Sequence, residues 1–381
     1  MTYPYIDAAI RQAKERARLL KTKIPTPRSA ELIGLQRLCE TQIDEVIVQL
    51  EYLLKDPTIL DPRAIRERIR FFRRALNQLA DIETTGIAAL NRTNDDDLFM
   101  NRLVLQLHRE INHPLPAPVV TCTARSYFTI HTGLHLLEVP PAESDFLLHL
   151  PDLYHEIAHT IIATRNNPKV EPFQQELGKF LYSLSRYFEA ECLANQRATG
   201  PTSYNAFVLD TLERSWNQWA VELFCDLFAT YTIGPAYAWA HFHLTAGRDS
   251  DPYDVKVIRI TSHPPDQARM EAILIALDLL RFDICTIKLK WDNLVKATGA
   301  RQTPDYRKAC PKELLESAAV HALEGTKKID CRIINDKTTG LMNDLLNNAW
   351  AEFWNNPSGY HQWERQLMNA LKQEARGARK T

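Results

Sequence analysis

One stretch constrains the fold more than any other: Pro151-Asp-Leu-Tyr-His155-Glu156-Ile-Ala-His159-Thr160-Ile-Ile-Ala-Thr164. It sets a His-Glu-x-x-His pattern inside an apolar run. On a helix, positions four apart share a face, so His155 and His159 can each turn a ring nitrogen toward one zinc ion. Glu156 lies one step round, at the rim of that face, where it can take a proton from a zinc-activated water instead of ligating. Tyr154, Ile157, Ala158, Ile161 and Ile162 supply the apolar body that buries such a helix. The plainer alternative is a helix whose two histidines merely hydrogen-bond near the surface. With only 12 histidines in 381 residues, a chance match is uncommon.

A catalytic zinc takes three protein ligands and keeps one position open. The segment after His159, Thr160-Ile-Ile-Ala-Thr-Arg-Asn-Asn-Pro168, holds neither Gly nor His, which excludes the metzincin pattern. A carboxylate ligand would then come from another helix able to cross the first, the alternative being a site with no carboxylate ligand. The strongest candidate is Glu222, in Trp219-Ala-Val-Glu222-Leu-Phe-Cys225-Asp226-Leu-Phe-Ala229-Thr-Tyr231. Here two acids stand four apart on one face of a strongly apolar helix, costly to bury unless a cation or donors lie near. Glu222 can ligate while Asp226 accepts the far-side N–H of a ligand histidine and fixes its tautomer. Rival third ligands are Glu189 and Glu191, on the intervening helix, and Glu213. Cys225 lies beside this site but reads as buried filler.

This set of residues resembles the gluzincin metallopeptidases, and among them the group of CAAX-prenyl-protease-like enzymes and their soluble relatives. Those pair His-Glu-x-x-His with a later Glu-x-x-x-Asp helix, then a His-Pro segment with an arginine shortly after. The matching residues are His155, Glu156 and His159, then Glu222 and Asp226, then His263-Pro264-Pro265 and Arg269. The likeness covers roughly residues 134–280. It departs at Cys225, where alanine is commoner, and the membrane helices of the prenyl-protease branch are absent. The resemblance implies a zincin-like metallopeptidase core with one Zn2+ on His155, His159 and Glu222, and Glu156 as general base. Arg269 would partner an acid such as Asp226. His263 would either stabilise an oxyanion or cap the helix that starts at Pro264, and Tyr231 and Tyr237 are weaker oxyanion candidates. The expected activity is hydrolysis of a protein or peptide substrate. Two alternatives are a zinc hydrolase of a non-peptide amide and a non-catalytic helical scaffold that binds a partner and retains a metal site.

The chain as a whole reads as mainly α (α+β): an amino-terminal helical region over 1–113, the catalytic core over 114–285 and a carboxy-terminal helical region over 286–381. Asp61-Pro62 opens a helix, with proline at its first position, that carries Arg63, Arg66, Arg68, Arg70, Arg73 and Arg74. Glu67 interrupts that run, and Ile65, Ile69, Phe72, Leu76 and Leu79 give a buried stripe, so the arginines read as a solvated face rather than a nucleic-acid surface. Asn94-Asp-Asp-Asp97 caps the next helix. Residues 119–123, 126–130 and 134–139 are the one convincing β region, with a turn at Thr132-Gly133. A sheet there would either offer an edge to an extended peptide or serve only as a floor for the core. Gly200-Pro201 and Ser203 mark a break, a strand-like or amphipathic stretch begins near Phe282, and the tail from 375 reads as frayed.

Net charge is −1, so nothing global points to nucleic acid. No apolar run approaches a membrane span, and Met1-Thr-Tyr-Pro-Tyr-Ile lacks the core of a signal peptide. The seven cysteines are scattered without a C-x-x-C pair, which suggests reduced thiols and a cytoplasmic location. A cytoplasmic protease needs restraint. The large portion outside the motifs leaves room for a regulatory protein partner in a defence or stress pathway.

Overall fold

Acidic side chains and prolines start the amino-terminal helices where the sequence marks them. In the computed structural model, which describes residues 4–27, 29–92, 94–124, 127–199, 204–249 and 251–377, the chain opens with α1 (Pro4–Thr22), α2 (Ile33–Lys55) and the short α3 (Pro57–Leu60). The Asp56 side chain caps α3 through Thr58 N at 2.9 Å. Asp61 does the same for a 3-10 turn, Pro62–Ala64, through Arg63 N at 2.8 Å, and that turn runs into α4 (Ile65–Asp81). The helix continues through a π-helical turn, Ile82–Ile87, into α5 (Ala88–Arg92). Before α6 (Asp95–Glu110), Asn94 and Asp97 form a reciprocal capping box: Asn94 N donates to Asp97 Oδ2 at 2.7 Å, and Asp97 N to Asn94 Oδ1 at 2.9 Å.

The β region holds three short strands: β1 (Val119–Thr121), β2 (Thr129–His131) and β3 (Leu136–Glu138). Their order is β1-β3-β2, with β1 parallel and β2 antiparallel to the central β3. Asn101 of α6 pairs with the outer side of β1 as a strand would: its amide donates to Val120 O at 2.7 Å and accepts from Val120 N at 2.9 Å. Asp97 accepts from Cys122 N at 2.6 Å. The β1 edge is thus engaged by side chains.

The remaining elements are α7 (Asp152–Ala163), α8 (Glu171–Thr199), α9 (Tyr204–Ile233), α10 (Pro235–Ala246), α11 (Asp266–Leu279), α12 (Cys285–Ala297), α13 (Pro304–Ala309), α14 (Lys312–Lys328), α15 (Leu341–Asn355) and α16 (Tyr360–Gly377). The protein is mainly helical with one small three-stranded sheet. Among the described residues no helix is long and apolar enough to cross a membrane, and all seven cysteines are free thiols.

The chain forms two compact units. One comprises residues 1–102 and 118–144, so the sheet groups with the amino-terminal helices; the other comprises 103–117 and 145–381, so α12 to α16 group with the helix that carries the two histidines. The sequence instead drew three parts, at 113 and 285. In the first unit, α1, α2, α4 and the π turn share a core through Ala13, Leu35, Cys39, Val46, Leu79 and Ile82. In the second, α9 is the central element, packed by α7, α8, α10, α11 and α14. Its second half, apolar on every side, is buried almost throughout from Trp219 to Ile233.

Three expectations need correction. Arg68 is not on a solvated face: it is 4% exposed, donating to Leu53 O at 2.9 Å and to Asp7 at 2.6 Å, while Arg66, Arg70, Arg73 and Arg74 are exposed. After Phe282 the strand alternative gives way to the amphipathic one: a short connection leads into helix α12, where Ile287, Trp291 and Val295 fall four apart and form the buried stripe. Tyr231 is a core residue whose hydroxyl donates to Ala319 O at 2.7 Å, so it is not available to an oxyanion. The break read at Gly200, Pro201 and Ser203, and the tail beyond 377, lie outside the described residues.

Candidate metal centre

α7 and α9 pack side by side, and the polar positions of each meet at one point. On α7, His155 and His159 are one turn apart and their Nε2 atoms stand 3.2 Å from each other. On α9, Glu222 faces both: its carboxylate lies 3.4 Å from His155 Nε2 and 3.9 Å from His159 Nε2. Two ligands on one tetrahedral zinc, with Zn–N of about 2.0–2.1 Å, are separated by roughly 3.3 Å. The three side chains therefore hold spacings that a shared ion requires, and their donor set of two imidazoles and a carboxylate fits zinc. The structure places side by side the three residues that the sequence offered as candidate ligands. The rivals are engaged elsewhere: Glu189 is exposed and paired with Arg186 at 2.8 Å, Glu191 is exposed, and Glu213 accepts from Ser185 at 2.9 Å.

Behind the pair, Asp226 is fully buried and accepts from four donors. His155 Nδ1 donates to Oδ1 at 2.7 Å, Arg269 Nε to Oδ2 at 2.7 Å and Nη2 to Oδ1 at 2.6 Å, and the Tyr237 hydroxyl also donates to Oδ1. An uncompensated carboxylate at this depth would be costly, and these donors offset the cost. The consequence reaches the front of the site. With its Nδ1 committed to Asp226, His155 presents Nε2 toward His159 and Glu222, and this is the nitrogen whose lone pair a cation would take in exchange for the proton. Tyr237 is thus a supporting group beneath His155, its hydroxyl 3.1 Å from Nδ1, rather than an oxyanion donor. Its reach from α10 leaves no local trace in the sequence.

The electrostatics separate the two imidazoles. Burial alone would lower His155, but hydrogen bonds to Asp226 and Glu222, with the charges of Asp226 and Glu156, raise it to about 10. Burial, then the charge on His155, lowers His159 to about 4. Burial would raise Asp226, yet the Arg269 charge and hydrogen bonds hold it well below the usual carboxylate range. Glu222 is likewise held low against burial by its contact with His155. Glu156 is half-buried on α7, close enough for its charge to act on both His155 and Cys225.

His263 comes from the loop before α11. It is not the cap of that helix, whose N-cap is Pro265 with no side-chain hydrogen bond. Its Nε2 lies 3.4 Å from Glu222, while Ser262 Oγ is 2.8 Å from its Nδ1. The loop is tied to α9 by Trp219 Nε1 donating to Thr261 Oγ1 at 3.0 Å and Thr261 N to Ser215 Oγ at 3.2 Å. His263, with a side chain 61% exposed against 14% for Glu222, marks the solvent side of the site. On the buried side stands Cys225, which the sequence reading set aside as filler: its sulfur and a ring nitrogen from each of His155 and His159 all lie within 4.8 Å of one another. Burial pushes its thiol well above the usual range.

Neither a protein-family model, nor a curated protein, nor a solved structure matches the chain.

Proposed function

We propose that this protein is a zinc-dependent metallopeptidase with a zincin-like core, acting in the cytoplasm on a protein or peptide substrate under the restraint of a protein partner. The observation that supports it is the convergence of His155, His159 and Glu222 within 3.2–3.9 Å, with His155 oriented from behind by Asp226. His155, His159 and Glu222 would hold the ion. When bound, zinc supplies a Lewis acid and brings the pKa of a water to about 7. Glu156, at the rim of the same helix face, accepts the proton from the attacking water and returns it to the amine nitrogen as the peptide C–N bond breaks. His263, on the solvent side, donates to the oxygen on which charge develops. Free thiols at all seven cysteines agree with a reducing compartment.

The test pairs wild type with Glu156→Gln, which keeps the shape and removes the base. Peptide-library cleavage is expected to fall about 10²–10⁴-fold, the range of general acid–base catalysis, with zinc stoichiometry unchanged. A fully active variant removes Glu156 from that role, and a wild type that neither retains zinc nor cleaves ends the reading. A second reading, a partner-binding scaffold with a structural metal site, is favoured by one observation: Cys225 offers a further donor on the buried side, and structural zinc sites use four protein ligands.

A further inference from the structure

We infer that Cys225 is itself a ligand of the cation held by His155 and His159, so that the site carries a thiolate as well as the carboxylate of Glu222. The inference rests on the metal-site reading above and deepens it. Three facts support it. Cys225 follows Glu222 by three residues on α9, so both side chains project from one face of the helix toward α7. Its sulfur shares a 4.8 Å cluster with ring nitrogens of His155 and His159. Its position is fully buried, whereas His155, Glu222 and His159 have side chains 9, 14 and 21% exposed, so the sulfur approaches from the side opposite to solvent.

Ligands with Zn–S of about 2.3 Å and Zn–N of about 2.0–2.1 Å sit roughly 3.6 Å apart on a tetrahedral ion. From a separation of at most 4.8 Å, the atoms have about 1.2 Å or less to close. On binding, the S–H bond breaks, its proton leaves to solvent, and the sulfur lone pair forms the bond to the cation. No oxidant or reductant is involved. Two consequences follow. A thiolate donor makes the site prefer zinc, cobalt and cadmium over manganese or magnesium. With Glu222 also bound, the protein donors would number four, the count that fills a tetrahedral shell.

Cobalt(II) loaded into the full-length wild-type chain tests this directly, because a thiolate–cobalt bond gives an intense near-ultraviolet charge-transfer absorption that imidazole and carboxylate ligands do not. The expected result is one cobalt per chain with that absorption, lost in Cys225→Ala and Cys225→Ser while both variants still bind cobalt. Calorimetric titration in buffers of different ionisation enthalpy should show one proton fewer released by Cys225→Ala than by wild type. Stoichiometric cobalt binding without the charge-transfer absorption overturns the Cys225 assignment and leaves the His155, His159, Glu222 site standing. Failure of the folded wild type to bind cobalt at all overturns the metal-site reading itself.

Discussion

Asp226 is the residue on which the site's orientation turns. The donors to its carboxylate come from α7, α10 and α11. Replacing it by asparagine leaves the volume and removes the charge, so Arg269 loses the carboxylate it pairs with and the His155 tautomer is no longer fixed. Metal affinity in Asp226→Asn is expected to fall about 10–100-fold, the usual cost of losing such a supporting acid. Competition against a chelator measures it. Stability should fall as well, by about 3–5 kcal/mol for breaking a buried pair, read by urea denaturation. A variant that is less stable yet holds zinc as tightly as wild type would confine Asp226 to a structural role. His155, Glu156 and His159 were legible from sequence because helical spacing alone puts them together. Glu222 and Asp226 were legible because two acids in so apolar a helix demand an explanation. Tyr237, Cys225 and the Thr261 tether were not, since each acquires its role only through packing between helices distant in sequence.

Among the elements, the π turn at Ile82–Ile87 shows where periodicity stops being informative. The apolar spacing of α4 runs on through α5 without a break, and no residue type announces one wider turn. Its packing does explain Gly86: a Cβ there would lie 2.6 Å from Cys39 Sγ of α2, and 3.6 Å from Leu134. Both α2 and the π turn contribute to one close-packed core, so the sulfur has little room to withdraw. Gly86→Ala should therefore destabilise by about 1–3 kcal/mol, as overpacking does. Removing the sulfur in Cys39→Ala/Gly86→Ala should recover much of that loss, because the added methyl takes the space vacated. Equal denaturation midpoints for the single and double variants would mean that helix geometry, not the contact with Cys39, demands glycine. The caps at Asp61 and Asn94 and the turn at Thr132-Gly133 were readable for the opposite reason, since each is completed within a few residues.

At the scale of the whole molecule, the division at 285 drawn from the sequence has no counterpart in packing. α14 lies against α8, α9 and α11, and so belongs to the same compact unit as the candidate site. What pins it to α8 is an ion cluster that could not be assembled from sequence, because Glu176 is 145 and 152 positions from its two partners on α14. Glu176 of α8 accepts from Lys328 at 2.5 Å and lies 2.8 Å from His321 Nδ1, both of α14, with Lys179 of its own helix at 2.7 Å. Burial would raise the Glu176 carboxyl above its ordinary 4.5, but hydrogen bonds from Lys179, Lys328 and His321 outweigh it and hold it at about 2. A carboxyl whose pKa is depressed on folding contributes stability that is present above its unfolded value and is lost as pH falls through its folded one. Glu176→Gln should accordingly be less stable than wild type at pH 7, and the gap should narrow from about 4.5 downward and close near 2. Both lysines are about half exposed, so added salt should shrink the gap as well. Urea midpoints of the two proteins followed down the pH scale decide it. A gap that stays constant across that range would mean that shape and hydrogen bonding at Glu176, rather than its charge, join α14 to α8.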